Sequence, residues 1–344
     1  MVAAPKGRCL VWGAGAIGGT MGAYLARAGH DVTLVDNVAD HVAAIHRDGL
    51  RITGPIAEFT TPMRAFTPET LSGSWDTIIL ATKAHHTRAA ARALRPFLTE
   101  QGCVVSAQNG LNELEIAEEV GEGRTVGAFV NFGADYLEPG VIFYGGRGFV
   151  AVGEAFGPPA SRLSPRALRI RDEWRDFEER AIATANIFGY LWAKEAYGAM
   201  LFATALTNDS IADCLAAPAY RHLYIGLARE ILAVAKSQGV QCEDFDGFAC
   251  SAYLPDAPAG AANASLDNIV AHNRKSAKTH TGIWRDLAIR KRQTEVDAQL
   301  GIIVRLGAKA GVATPLTSRV VALIQEIERG QRELARENLE ALTA

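Results

Sequence analysis

A lysine lies in an otherwise apolar segment, LWAKEAYGAMLFATAL, at residues 191–206. Nearly all of its residues favour a helix, and in a helix Lys194, Gly198 and Phe202 fall on one face because they are spaced four residues apart. A lysine on such a stripe either extends to solvent at a helix end or is placed for chemistry. Since a positioned ammonium can donate a proton, Lys194 is a candidate catalytic residue.

A glycine-rich segment near the N-terminus, GAGAIGG, has the spacing of a dinucleotide-binding loop. Gly13, Gly15 and Gly18 follow the apolar run RCLVW and precede a predicted helix. The first glycine permits a tight turn, the second lets a pyrophosphate approach, and the third lets helix and strand pack closely. The N–H groups at the helix start, which include those of Ala16 and Ile17, would bind the phosphates. The segment predicts a dinucleotide site, with a purely structural glycine turn as the alternative.

The second predicted strand is followed by Asp36, which lies 18 residues after Gly18. A carboxylate at this place accepts hydrogen bonds from the adenosine ribose hydroxyls of a dinucleotide. It also repels a 2′-phosphate, and no arginine or lysine follows within the next few residues. We therefore predict NAD as the cofactor, with NADP as the alternative. The other interpretation is that Asp36 only caps the next helix.

Strands and helices alternate through the first 130 residues, which predicts a parallel α/β sheet. The predicted strands are 8–12, 31–35, 75–82, 103–108 and 125–132. Residues 135–156 are predicted to be antiparallel strands at a sheet edge. The predicted helical windows after that are 163–178, 188–206, 217–238, 281–310 and 316–340. We expect an N-terminal domain of residues 1–183 and a helical C-terminal domain of residues 184–344.

The bulk composition is typical of a globular protein with two domains. The chain has 344 residues, of which 49% are hydrophobic and 21% charged. Its net charge of −3 gives no electrostatic reason to expect nucleic acid or an acidic membrane as a partner. The five cysteines include no CxxC and the histidines no HxxxH, so we expect no metal site and place the protein in the reducing cytoplasm. The uncharged stretch 9–26 contains five glycines, too many for a comfortable membrane-spanning helix.

Further motifs follow the glycine loop in order. They are ATK at 81–83, QNG at 108–110, WAKE at 192–195, RQTEVD at 292–297 and GVATP at 311–315. With these motifs the chain resembles the ketopantoate reductase (2-dehydropantoate 2-reductase) family over essentially its whole length. The resemblance implies a Rossmann-like, doubly wound parallel sheet, an all-helical C-terminal domain and an active site in the cleft between them. It also implies hydride transfer between a nicotinamide cofactor and a 2-oxo acid.

The resemblance implies a role for the polar residues of these motifs. Lys194 matches the family's general acid, and Glu295 matches a glutamate that helps to organise the site. Lys83 and Asn109 match a lysine and an asparagine beside the nicotinamide and its ribose. Each alone also has an ordinary interpretation: Lys83 as a strand cap, Asn109 as part of a turn, and Glu295 as a solvated surface charge.

The chain departs from the family at the positions that bind substrate. Where ketopantoate reductases have asparagines four and eight residues after the lysine, this chain has Gly198 and Phe202. Where they have a pair of serines, it has His280 and Thr281 in the segment KTHTGIWRD. These four are our candidate substrate residues. The candidate partners of the substrate carboxylate are Lys83, Lys278 and Thr281.

The combination predicts an NAD(H)-dependent oxidoreductase for a 2-oxo acid/2-hydroxy acid pair, working on a small molecule as a homodimer. The altered substrate positions and Asp36 resemble the family's NAD-dependent branch, the D-2-hydroxyacid dehydrogenases, at least as well as ketopantoate reductases, which mostly use NADPH. The first alternative is biosynthetic 2-dehydropantoate 2-reductase. The alternative of another class is a non-catalytic dinucleotide sensor or scaffold, which needs only the glycine loop and Asp36. A dimer contact is expected on a long amphipathic helix such as 316–340.

Overall fold

The computed structural model describes residues 7–245, 247–275 and 279–342. The chain divides into two compact units, the first ending at Ile187 and the second beginning at Phe188. The strands of the first unit are β1 (Arg8–Trp12), β2 (Asp31–Val35), β3 (Leu50–Thr53), β4 (Phe59–Thr61), β5 (Arg64–Phe66), β6 (Trp75–Leu80), β7 (Leu98–Ser106), β8 (Thr125–Glu138), β9 (Val141–Glu154) and β10 (Ile182–Ala183). Its helices are α1 (Ala16–Arg27), α2 (Ala39–Asp48), α3 (Thr87–Leu94), α4 (Glu113–Val120), α5 (Pro159–Arg162) and α6 (Pro165–Trp174).

The strands form one sheet in the order β4-β3-β9-β8-β7-β6-β1-β2-β5, with β10 beside β9. The pairs β3/β4 and β8/β9 are antiparallel, and the other neighbours are parallel. This confirms the predicted α/β class, although the sheet is mixed rather than wholly parallel. The antiparallel strands predicted for residues 135–156 are the hairpin of β8 and β9.

The centre of the sheet has the topology of a doubly wound fold. β1 pairs in parallel with β2 on one side and with β6 on the other. In open α/β sheets, ligands bind at such a switch point, outside the carboxyl ends of the strands. The loops after β1 and β6 therefore meet at the binding edge, and β7, the neighbour of β6, brings its own loop beside them.

Apolar runs explain why the central strands are buried on both faces. Four of the five residues of β1 and five of the six residues of β6 are buried. Such near-continuous burial is typical of parallel strands that helices cover on both faces. Helix α1 approaches the sheet closely because it is rich in glycine. A Cβ at Gly22, for example, would lie 2.9 Å from Cδ2 of Leu34.

The second unit is helical. Its helices are α7 (Ile187–Thr204), which begins at the boundary, α8 (Ile211–Ala216), α9 (Arg221–Ser237), α10 (Ala261–Arg274), α11 (Gly282–Trp284), α12 (Ile302–Ala310), α13 (Pro315–Glu328) and α14 (Glu337–Glu340). Glu230 connects α9 to α13, because its carboxylate accepts from the backbone N–H groups of Leu316 and Thr317 at 2.9 and 2.8 Å. In the part of the chain that the structure describes, no helix has both the length and the apolar character needed to cross a membrane.

The helix predicted over 281–310 is interrupted. After α11 comes a π-helical segment, Arg285–Ile289, then an irregular stretch, and a second π-helical segment, Asp297–Gly301, precedes α12. In the irregular stretch Lys291 has a φ of 49°, a left-handed conformation that a continuous right-handed helix excludes. The apolar spacing of the window is that of a helix, but side-chain contacts described below, one of them to α13, interrupt it.

The helix predicted over 316–340 is also shorter in the structure. Helix α13 ends at Glu328, and Gly330 follows with a φ of 67°. Glycine in the left-handed conformation is a common helix stop. The prediction of one long helix over 316–340 was therefore wrong. The dimer contact expected on that helix stays a prediction.

Candidate active site

The glycine loop joins β1 to α1 at the binding edge of the sheet. Gly13 has a φ of 102°, and a Cβ there would lie 2.8 Å from the backbone nitrogen of Thr82, in the loop after β6. A Cβ at Gly18 would collide with the backbone oxygen of Gly13. A Cβ at Gly15, in contrast, would meet nothing within 4 Å. The loop needs glycine at 13 and 18 for its own fold, and it leaves open space at Gly15, which fits the approach of a pyrophosphate.

The backbone of Ala14 is held at both its N–H and its oxygen. Its N–H donates to Oδ2 of Asp36 at 2.9 Å, and its backbone oxygen is 2.9 Å from Nε2 of His41. Nδ1 of His41 accepts from the N–H of Gly140 at 2.9 Å, so the ring hydrogen is on Nε2 and points at Ala14. His41 was not predicted from sequence, because these partners are 27 and 99 residues away along the chain.

Asp36 accepts a second backbone bond, from the N–H of Val38 at 3.0 Å. Val38 directly precedes α2, so Asp36 does assist the start of that helix. A carboxylate offers about four lone-pair sites, so the two bonds leave capacity for further donors. The surroundings of Asp36 are acidic: burial raises the pKa of Tyr136, and the charges of Asp36, Asp40 and Glu138 raise it further. Such surroundings fit a ribose hydroxyl better than a phosphate.

Lys83 and Asn109 follow the neighbouring strands β6 and β7, and both side chains are exposed. They lie at the same edge of the sheet as the glycine loop, because β1, β6 and β7 are parallel. Buried Gln108 ties the two loops together, since its Nε2 donates to the backbone oxygen of Thr82 at 2.9 Å. The first unit thus brings Lys83, Asn109 and the glycine loop together.

Lys194 lies in α7 and is half-buried. Burial lowers the pKa of Lys194 to about 8, although the charges of Glu195 and Glu295 oppose that effect. Glu195 is only 2% exposed, and the sequence analysis gave it no role in the site. A Cβ at Gly198 would meet nothing within 4 Å, so there is open space one helical turn from Lys194. The second unit thus combines a half-buried ammonium, two acids and open space.

Phe202 does not share this open space. Its side chain is 1% exposed and is among the largest fully buried side chains. Residues 202–207 are all buried, so this end of α7 is enclosed on every side. A side chain with almost no exposed surface cannot contact a ligand. We therefore correct the prediction that Phe202 contacts substrate: the ring belongs to the core of the helical unit.

His280 and Thr281 precede α11 and are engaged in local contacts. The ring of His280 bonds to the hydroxyl of its neighbour Thr279 at 2.9 Å and lies 3.2 Å from the backbone oxygen of Asn208. Thr281 is 5% exposed, and its Oγ1 caps α11 by accepting from the N–H of Trp284 at 2.9 Å. Both residues thus have structural tasks that the sequence did not show. Lys278, the remaining candidate in this segment, lies outside the described residues.

The irregular stretch that carries Glu295 is fixed at both ends. Asp286 is 3% exposed and accepts from Nη2 of Arg292 at 2.9 Å. The N–H and hydroxyl of Thr294 donate to Oε1 of Glu328 at 2.7 and 2.6 Å. These bonds join the stretch to the first π-helical segment and to α13, which explains why it leaves the helical path here.

Two family models match the chain. Ketopantoate reductase PanE/ApbA matches residues 9–157, and Ketopantoate reductase PanE/ApbA C terminal matches residues 186–328. The chain therefore belongs to the ketopantoate reductase family. The 2-dehydropantoate 2-reductase of Mesorhizobium japonicum is 28% identical over 347 residues, which covers 93% of this chain and 98% of that protein. The enzyme of that name from Pyrococcus horikoshii is 34% identical over 192 residues, which covers 54% of this chain and 58% of that protein.

Solved structures share the fold over nearly the whole chain. A PanE/ApbA family ketopantoate reductase from Ralstonia eutropha has a TM-score of 0.78 and 24% identity, covering 95% of this chain and all (100%) of that one. D-Mandelate dehydrogenase, in a ternary structure with NADH and anilino(oxo)acetate, has a TM-score of 0.81 and 21% identity, with 94% and 99% coverage. The likeness confirms the predicted fold class.

Proposed function

We propose that the protein is an NAD(P)(H)-dependent reductase of 2-oxo acids with Lys194 as general acid. The observation that carries the proposal is the half-buried ammonium of Lys194, whose pKa burial lowers to about 8. A general acid works best when its pKa lies near the working pH. Glu195 and Glu295 oppose a larger fall of this pKa, so their charges keep much of Lys194 protonated.

Reduction of a carbonyl needs a proton donor at the carbonyl oxygen. A bound reduced nicotinamide supplies a hydride to C2 of the 2-oxo acid, and negative charge develops on the oxygen. The Lys194 ammonium stabilises that charge and donates its proton, which leaves the 2-hydroxy acid. We assign Glu295 to hold the ammonium by its charge, and Lys83 and Asn109 to bind the nicotinamide ribose and the substrate. In this proposal residues 1–183 bind the cofactor and residues 184–344 supply the proton.

We propose NADH as the preferred cofactor. The glycine loop with the backbone N–H groups of Ala16 and Ile17, which have no intrahelical partner, binds the pyrophosphate. Asp36 retains acceptor capacity for the ribose hydroxyls, and Asp40 and Glu138 add negative charge to its surroundings. A 2′-phosphate would bring further negative charge to this acidic place, which costs Coulomb energy.

We propose that the substrate has an apolar side chain larger than that of ketopantoate. Gly198 supplies no polar group and leaves open space beside Lys194. Selection for a substrate hydroxyl depends on site groups that the wrong ligand leaves unpaired, and glycine has none. A larger apolar side chain gains roughly 0.8 kcal/mol for each methylene that it buries. For the substrate carboxylate we favour Lys83, which is exposed at the binding edge, over Thr281, whose oxygen already caps α11.

Biosynthetic 2-dehydropantoate 2-reductase is the second candidate, because it is the name of the curated relatives. A non-catalytic dinucleotide sensor is the least favoured. A sensor needs the glycine loop and Asp36, but it gives no reason to keep a half-buried lysine beside two acids, since burial of an ammonium costs stability.

We also propose that the chain forms a homodimer in the reducing cytoplasm. A ketopantoate reductase from Staphylococcus aureus, described as dimeric, shares the fold with a TM-score of 0.72 and 18% identity. All five cysteines are free thiols, as a reducing compartment would keep them. Size-exclusion chromatography with light scattering should give twice the chain mass, and a monomer mass at micromolar concentration would refute the dimer.

The activity is tested by following nicotinamide absorbance with ketopantoate, 2-oxoisocaproate and benzoylformate, each with NADH and NADPH. We expect kcat/KM to be highest for NADH with 2-oxoisocaproate or benzoylformate. If ketopantoate with NADPH wins by about tenfold, ~1.4 kcal/mol of transition-state binding, the biosynthetic assignment replaces ours. NADH binding without turnover of any 2-oxo acid would instead favour the sensor.

A further inference from the structure

A chain of polar side chains joins the loop after β6 to the loop after β7. Nε2 of Gln108 donates to the backbone oxygen of Thr82 at 2.9 Å and to Oγ1 of Thr87 at 2.8 Å. The Thr87 hydroxyl donates to Oδ1 of Asn112 at 2.9 Å, and Nδ2 of Asn112 donates to the backbone oxygen of Asn109 at 2.7 Å. We name the side chains of Gln108, Thr87 and Asn112 the Thr87 relay.

The relay is buried, and its direction is fixed. Gln108, Thr87 and Asn112 are 4%, 0% and 5% exposed. The backbone oxygens of Thr82 and Asn109 can only accept, so the relay must present a donor at each end. The Thr87 hydroxyl lies between two side-chain amides: it accepts from Gln108 and donates to Asn112. Because buried polar groups without partners are costly, loss of this hydroxyl affects both amides.

Both ends of the relay adjoin residues of the proposed site. Thr82 precedes Lys83, and its backbone nitrogen is the nearest atom to a Cβ built at Gly13, at 2.8 Å. Asn109 is exposed and is followed by Gly110, which has a φ of 111°. The relay therefore fixes the backbone of two loops whose exposed residues face the binding edge, while its own side chains stay inside.

A capping role does not account for Asn112. It directly precedes α4, where asparagine often caps a helix, but its side chain makes no capping bond to α4. Its side-chain amide instead accepts from the Thr87 hydroxyl and donates to the backbone oxygen of Asn109.

We infer that the Thr87 relay positions Lys83 and Asn109 for the nicotinamide and the 2-oxo acid, an inference that rests on the proposed function. The relay residues are positioning residues: they are buried and act through the backbone of Thr82 and Asn109. If this backbone moves, the polar groups that hold the cofactor and substrate move with it.

The test compares Thr87→Val with Thr87→Ser. Valine has the shape of threonine without the hydroxyl, whereas serine keeps the hydroxyl and loses only a methyl group. Since small misplacements of reacting groups can cost about a hundredfold, we expect kcat/KM for the preferred 2-oxo acid to fall roughly tenfold to hundredfold in Thr87→Val. The dissociation constant for NADH, measured by fluorescence, should also rise. Thr87→Ser should stay within about threefold of wild type in both measurements.

Hydrogen–deuterium exchange gives a readout that needs no turnover. In the protein without ligands, the backbone amides of residues 109–112 should exchange faster in Thr87→Val than in wild type or Thr87→Ser. Asn112→Asp is the second variant, to be used if the valine protein does not fold. It keeps the acceptor for Thr87 but places an acceptor against the backbone oxygen of Asn109, so the same changes are expected.

A folded relay variant with wild-type exchange and wild-type kcat/KM would overturn the inference. Faster exchange with unchanged kcat/KM and NADH affinity would also overturn it, because the relay would then serve the fold alone. If the wild-type protein reduces no 2-oxo acid, the proposed function fails separately. The relay is then judged by NADH affinity: weaker binding in Thr87→Val than in Thr87→Ser supports it, and equal binding overturns it.

Discussion

Replacement of Lys194 with methionine should stabilise the protein while it removes the activity. Burial lowers the pKa of Lys194 from 10.5 to about 8, so the folded protein holds this proton less tightly than the unfolded chain does. One pKa unit corresponds to about 1.4 kcal/mol, so the drop corresponds to roughly 3 kcal/mol of unfolding free energy. Methionine fills a similar volume without a charge and avoids this cost.

The sign of the pH dependence follows from the two pKa values. Below about pH 8 the ammonium is present in both states, and the wild type carries the whole cost. Between about pH 8 and pH 10.5 the unfolded chain binds more protons, so wild-type stability rises with pH. The advantage of Lys194→Met should therefore be roughly 3 kcal/mol near pH 7 and shrink to roughly 1 kcal/mol near pH 9.5.

Urea unfolding near these two pH values, followed by tryptophan fluorescence, measures the difference. Lys236→Met is the matched control, because Lys236 is an exposed lysine in the last turn of α9 and should change the unfolding free energy by at most about 0.5 kcal/mol. A Lys194→Met protein that is less stable than wild type near pH 7, or a difference that does not vary with pH, would refute the argument from burial.

The same pKa should govern the rate. Reduction needs the ammonium, so kcat/KM for the 2-oxo acid should fall as pH rises through about 8, whereas oxidation of the 2-hydroxy acid needs the amine and should rise there. Loss of the general acid in Lys194→Met should lower kcat by about 10² to 10⁴. A methionine variant that turns over at nearly the wild-type rate would show that Lys194 is structural.

Three further predictions concern glycines and the cofactor. Gly18→Ala should unfold more easily than wild type, because its Cβ collides with Gly13. Gly15→Ala should keep wild-type stability and lose NADH affinity. Equal effects of the two variants on stability and on NADH affinity would contradict the assigned roles. Asp36→Ser combined with Asn37→Arg should shift kcat/KM from NADH toward NADPH, since a guanidinium binds a 2′-phosphate; a wild type equally efficient with NADPH contradicts this. Gly198→Asn should raise kcat/KM for ketopantoate relative to benzoylformate, and Gly198→Leu, which adds volume without the amide, should not; an equal shift in both would rule out hydrogen bonding as the cause.

The elements of the first unit could be predicted from sequence because their signals are local. β1 and β2 have the predicted bounds, since β1 is an apolar run followed by Gly13 and β2 is rich in β-branched residues and is followed by Asp36. The glycine loop was predictable from the spacing of its glycines, which is a local signal, although the structure adds a distant reason for Gly13: the loop after β6 lies against it.

The contacts that the sequence analysis missed connect distant parts of the chain. His41 joins Ala14 to Gly140, and the Thr87 relay spans two loops, so no spacing rule identifies either. Phe202 was misplaced because helical spacing shows which residues share a face but not how far along the helix that face stays open. The break near Glu295 arises from Asp286, Arg292, Thr294 and Glu328, which local apolar spacing does not reveal.

The distribution of these contacts explains how such a fold can change substrate and keep its chemistry. In the proposed function the catalytic side depends on groups with several neighbours: half-buried Lys194 is influenced by two acids, and the backbone of Ala14 bonds to both Asp36 and His41. A change at either acid alters the pKa of Lys194, and a change at Asp36 or His41 removes a bond to the backbone of Ala14. At Gly198 an added Cβ meets nothing within 4 Å, so a small substitution there alters the shape and polarity of the open space at little cost to packing. If the proposed function holds, substrate preference can therefore vary at this position without disturbing Lys194, which lies one turn away.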